Sequence, residues 1–180
     1  IHCALFLLLD EYTKITVFNI FGFTPNKLTS LELFSFTSII SPFTYCFLHG
    51  SWSHLMINLL MLLALGTGIE RWLGGKKLLI IFFSCSVLSL AFHLIFNFSS
   101  QSLVVGASGG LSGLFASIII LIQRKGIGPQ GKYGIWPFVA FWVLLSLLFG
   151  ALGGPSGENV AWAAHIGGFL SGLLIIRFLK

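Results

Sequence analysis

Gly106-Ala107-Ser108-Gly109-Gly110-Leu111-Ser112-Gly113 opens into a run, 114–122, whose side chains are apolar apart from Ser117. Glycine weakens a helix unless a neighbouring backbone must come close, and buried hydroxyls need partners. The rest of the chain decides what the stretch is embedded in. Of 180 residues, 56% are hydrophobic and 8% charged, and the mean hydropathy is +0.98. These values exclude an ordinary soluble domain and point to an integral membrane protein. The net charge of +5 is scattered in small groups between apolar runs, which argues against a nucleic-acid partner. Cys3, Cys46 and Cys85 stand apart, with no CxxC and no metal spacing, so no metal or cofactor is expected.

A spanning helix needs roughly 20 apolar residues. Five segments are long enough: 52–73, 78–96, 103–122, 135–152 and 160–179. None alternates apolar with polar as a membrane β-strand does, so helices are expected. The opening 1–9 has neither a basic leader region nor a small-residue cleavage site. It is expected to be the truncated end of a first span, giving six in all. The stretch 12–50, broken by Pro25 and Pro42, has only short apolar bursts and is expected to be an outer loop half-embedded in the membrane interface.

Charge sets the orientation. Arg71, Lys76 and Lys77 close the second span, Arg124, Lys125 and Lys132 the fourth, and Arg177 and Lys180 the sixth. If every segment crosses, these groups share one side, the cytoplasmic one by the positive-inside rule. Asp10, Glu11, Glu32 and Glu158 then lie outside, with only Lys14 and Lys27.

At about 1.5 Å per residue, Ser108, His165 and Asn58 each lie roughly 20 Å above the cytoplasmic end of their helices, with His54 one turn above Asn58. Such polar groups pair or face water. Interhelical hydrogen bonding alone would explain them, but it does not require the small residues beside them. Gly106, Gly109, Gly110 and Gly113 on the fourth span, and Ala164, Gly167, Gly168 and Gly172 on the sixth, let two backbones approach closely. That approach would bring the Ser108 hydroxyl to the His165 imidazole, the minimum for nucleophilic acyl transfer. No carboxylate lies at that depth, since Glu70 is at the cytoplasmic end and Glu158 in an outer loop, so the expectation is a Ser-His dyad. Free N–H groups at the helix start, together with Asn58 and His54, could hold an oxyanion.

Gly106-Ala107-Ser108-Gly109, Ala164-His165-Ile166-Gly167-Gly168 and His54-Leu55-Met56-Ile57-Asn58 on alternate spans resemble the rhomboid intramembrane serine proteases. Phe47-Leu48-His49-Gly50 and Gly66-Thr67-Gly68-Ile69-Glu70-Arg71 extend the resemblance, from about 47 to 174. It implies an all-α, six-helix membrane bundle forming a single domain over 1–180. The roles it implies are nucleophile for Ser108, general base and acid for His165, and oxyanion support for His54 and Asn58. A membrane-embedded loop after the first span is implied as well. Two positions depart from the pattern: Ile40-Ser41 stands where many relatives carry Trp-Arg, and Ser112 where some place an aromatic ring against the catalytic histidine.

Ser112 is an alternative nucleophile, because Gly110-Leu111-Ser112-Gly113 also reads GxSG. Ser108 is preferred, because it matches the depth of Asn58 and leaves Gly113 and Ala116 at the small-residue positions. His93 is expected to make local hydrogen bonds, His49 to pin the outer loop, and Glu70-Arg71 to form a solvated pair; His2 supports no role. Trp136, Phe138, Phe141 and Trp142 are expected to contact lipid and anchor the interface. By resemblance, the fifth span and the loop 153–159 move to admit substrate.

The expected function is cleavage of transmembrane segments of other membrane proteins, at a site opening to the outer side of a bacterial inner membrane. The alternative is a catalytically silent rhomboid-like protein that binds membrane clients. A transporter would need polar groups through the whole thickness, and the lower halves of these spans are nearly all apolar.

Overall fold

The computed structural model describes residues 9–128, 131–153 and 160–179. Nearly all of the expected first span, with His2 and Cys3, lies outside these residues, as do Glu158, Lys180 and most of the loop 153–159. The described residues are helical and contain no sheet, only one isolated bridge between Phe23 and Val104.

The stretch 12–50 folds into short helices. Asp10 caps α1 (Glu11–Phe21) by accepting the Thr13 N–H at 2.6 Å, and that bond holds its carboxyl below the usual carboxylate range. Pro25, which has no N–H to lose, starts α2 (Pro25–Thr29). A Ser35–Ser38 capping box starts α3 (Phe36–Thr44), which tightens into a 3-10 turn over Tyr45–Phe47.

α4 (Trp52–Leu73) is capped by Ser51, which accepts the His54 N–H at 3.1 Å. It ends at Gly74, whose φ of +86° turns the chain directly into α5 (Gly75–Asn97). Both are long and apolar enough to cross a membrane; α6 (Ser108–Arg124), α7 (Trp136–Leu152) and α8 (Trp162–Ile175) are shorter apolar helices. Met56, Leu60 and Leu63 on α4, and Trp136, Phe141 and Leu144 on α7, are among many large apolar side chains left exposed. A surface of this kind requires lipid rather than water around it, so the chain is an integral membrane protein.

Two helices are several residues shorter than expected, while α5 starts three residues earlier than the expected 78. The helix expected from 103 begins at Ser108, because Val104 is held in a bridge from outside the bundle and the chain turns at 106–107. Phe23 and Val104 exchange both backbone hydrogen bonds (3.0 and 2.7 Å), and Gly106 turns the chain with φ +114°. The last helix ends at Ile175, short of 179.

α6 is the most enclosed helix, with Leu114, Ala116 and Ser117 fully buried, whereas α7 buries only Ser146. Glycines set the spacing on two sides of α6. A Cβ on Gly168 would fall on the Gly109 carbonyl, and one on Gly172 would lie 2.7 Å from Gly113 Cα. Toward α5, a Cβ on Gly110 would lie 2.8 Å from the Phe82 ring. The basic ends of three helices meet: Arg124 Nη1 donates to the Ile176 carbonyl at 3.0 Å, and Lys125 Nζ lies 5.4 Å from the Trp72 ring.

Candidate active site

Ser108 is the first residue of α6, and no side chain caps that helix. The first intrahelical bond runs from the Leu111 N–H to the Ala107 carbonyl, which leaves the N–H groups of Ser108, Gly109 and Gly110 without helical acceptors. His165 lies in the first turn of α8, its N–H bonded to the Ala161 carbonyl at 3.2 Å. The Gly109–Gly168 approach draws these two helix starts together, and Ser108 Oγ lies 2.8 Å from His165 Nε2. With the neutral ring protonated at Nδ1, Nε2 accepts the serine proton. Both side chains are half-buried.

Asn58 and His54 approach from α4. The position a Cβ would take on Gly106 is 2.6 Å from His54 Nε2 and 3.6 Å from Asn58 Nδ2, so both line the turn two residues before Ser108. Any side chain at 106 would fill that space. Asn58 is 6% exposed, and among the described residues its Nδ2 has no hydrogen-bond partner. A buried amide donor facing a helix start suits a developing negative charge.

Ser112 is fully buried and turned away from the imidazole, its hydroxyl donating to the Ser108 carbonyl at 2.7 Å. Among the described residues no group of three His, Cys, Asp or Glu stands close enough to hold a metal ion.

Residues 37–180 match the Rhomboid domain model. The chain belongs to the rhomboid family. It is 32% identical over 138 residues to the rhomboid protease GlpG of Yersinia pestis and to that of Yersinia pseudotuberculosis. It is 28% identical over 137 residues to RHOMBOID-like protein 1 of Arabidopsis thaliana. The alignments take in 73% and 74% of this chain, but only 45% of the Yersinia proteins and 32% of the plant one, so the chain spans less than half their length.

Of the other histidines and aromatics of this rhomboid, one borders the site and the rest lie along the helices. The buried His49 ring packs edge-on against His54, 5.1 Å between centroids. His93 is bonded through its carbonyl to Asn97 Nδ2 at 3.1 Å, on α5. Glu70 lies at the α4–α5 turn, where a Cβ on Gly75 would be 3.2 Å from its Oε1. Trp136, Phe138 and Phe141 are exposed, but Trp142 turns inward, with its ring 4.7 Å from Phe115 and stacked on Phe169 at 6.4 Å. Lipid contact therefore does not describe Trp142, which joins α7 to α6 and α8.

Tyr45 is one contributor that no motif singles out. It is 1% exposed, and its carbonyl accepts the Gly106 N–H at 3.0 Å. The one available signal is compositional: it is the single tyrosine in a stretch, 36–47, otherwise supplied with phenylalanine.

Proposed function

We propose that this rhomboid is an intramembrane serine endopeptidase working through a Ser108–His165 dyad. The hydrogen bond of 2.8 Å between the two side chains carries this reading. The Ser108 oxygen attacks the scissile carbonyl while its proton passes to His165 Nε2. The carbonyl electrons move onto oxygen, where the Ser108 N–H, Asn58 Nδ2 and His54 receive the charge. Collapse breaks the C–N bond as His165 returns the proton to the leaving amine, leaving an acyl-serine. Water then gives a proton to His165, attacks the ester and releases the second product with the serine restored.

The six-span topology, the inner-membrane location and the outward-opening site belong to the same proposal. The meeting of the basic ends of α4, α6 and α8 supports it, because the dyad lies at the opposite ends of α6 and α8. Substrates are transmembrane segments with helix-breaking residues, since a peptide bond held in an intact helix is poorly presented for attack. α7, which buries the fewest residues of the five apolar helices α4–α8, is the side through which they enter. Tethering α7 to α4 with an engineered disulfide is expected to slow cleavage of a transmembrane substrate while leaving fluorophosphonate labelling of the serine intact. Equal slowing of both would count against entry at α7.

The direct test places the purified protein in liposomes with a reporter transmembrane segment and, separately, with a fluorophosphonate probe. Cleavage and labelling are expected. If the wild type is neither labelled nor cleaves, a silent binder of membrane clients replaces the protease reading. Asn58→Ala should lower kcat by about 10²-fold with KM little changed, the signature of a donor engaged mainly in the transition state.

A further inference from the structure

Tyr45 touches the turn that carries Ser108 from two directions. Its backbone carbonyl accepts the Gly106 N–H at 3.0 Å, on one side of the serine. On the other side its hydroxyl lies 3.0 Å from the position a Cβ would take on Gly109. That hydroxyl donates to the Ser86 carbonyl of α5 at 2.8 Å and lies 3.0 Å from Ser89 Oγ. One side chain thus spans from the outer segment, under the first turn of α6, to α5. Gly109 leaves room for Ser89 of α5 and, just beyond it, for this hydroxyl, and Ser86 and Ser89 give its oxygen polar neighbours inside an apolar core. The tyrosine also terminates α3, so that 36–44 is continuous with the contact.

We propose that Tyr45 is a positioning residue for the reaction: its carbonyl and hydroxyl together fix the height of Gly106–Gly109 and so hold the Ser108 oxygen and the adjacent N–H donors in attacking geometry. This rests on the protease reading of the same site. The hydroxyl touches neither substrate nor reacting atoms, and it acts through the turn it supports. Loss of the hydroxyl alone leaves Ser86 O accepting from Ser89 Oγ at 2.7 Å, so the fold keeps a hydrogen bond there. The turn loses one of the two supports beneath Gly109, Ser89 being the other, and a misplacement on the order of 1 Å is enough to slow chemistry about 10²-fold, a smaller one less.

The test compares Tyr45→Phe, Ser89→Ala and the double variant with wild type in liposomes, measuring kcat and KM on the reporter segment, the rate of fluorophosphonate labelling, and Tm. Tyr45→Phe is expected to lower kcat about tenfold and to slow labelling in parallel. KM should be unchanged and Tm should fall by no more than about 2–4 °C. Ser89→Ala, which takes away one polar neighbour of the Tyr45 hydroxyl, should show a smaller loss of the same kind. The double variant should match Tyr45→Phe in kcat, because the contact between the two side chains is already gone, while its Tm falls further as the Ser89–Ser86 bond is lost too. A lowered Tm with wild-type kcat at temperatures below it would assign Tyr45 a structural role only and overturn the proposal. So would a loss confined to KM. A wild type that neither cleaves nor labels would overturn the protease reading instead, before any variant is compared.

Discussion

Ser108→Ala is expected to reduce cleavage on the order of 10⁶-fold, the scale on which removal of a catalytic serine acts. Fluorophosphonate labelling should disappear with it, while Tm stays near wild type. The hydroxyl is half-buried and its recorded partner is His165, so its deletion leaves no other bond broken. His165→Ala should be comparably inactive, and the double variant no worse than either single one, because the two groups move a single proton between them. Ser112→Ala separates the rival nucleophile. It removes a hydrogen bond to the Ser108 carbonyl, which should cost about 1 kcal/mol of stability and leave cleavage within a few-fold of wild type. Cleavage retained by Ser108→Ala and lost in Ser112→Ala would reverse the assignment.

Gly168→Ala is expected to have the second large effect, through packing. The added Cβ meets the Gly109 carbonyl, part of a helix backbone, where no flexible side-chain end can swing aside. α6 and α8 must separate, at a cost of about 1–3 kcal/mol for overpacking. The separation occurs one residue from Ser108 and three from His165, so kcat should fall by on the order of 10²-fold or more even in the folded fraction. Gly172→Ala meets Gly113 a turn away and should share the stability loss with less effect on kcat. Gly131→Ala, where a Cβ meets nothing within 4 Å, should change neither property. If Gly168→Ala matches Gly131→Ala in both stability and kcat, glycine contact is not what holds the dyad together.

The bundle was legible where the physics is local. A spanning helix is a long, mostly apolar run, and the turn at Gly74 follows the last residue of one, so the α4 boundaries could be read from composition. The Gly109–Gly168 approach was also open to inference, since small residues on two apolar helices have few other uses. What could not be read depends on partners distant in the chain. Val104 sits in an apolar run that scores as helix, and only its pairing with Phe23 draws it out. Tyr45 stands out from the phenylalanines around it by its hydroxyl alone, and that hydroxyl acquires meaning only when α5 supplies Ser86 and Ser89. Ser112 shares the GxSG pattern of Ser108. A difference of one helical turn decides which hydroxyl meets the imidazole and which folds back on its own backbone.

The hydrogen bond between Ser108 and His165 joins residues 57 apart, and His165 arrives on the last described helix. A chain made from its N-terminus therefore displays the serine before its base exists. On the proposed mechanism, nascent copies threading into the bilayer are inert toward the membrane proteins being inserted beside them. On that mechanism the dyad forms only when α8 docks against α6.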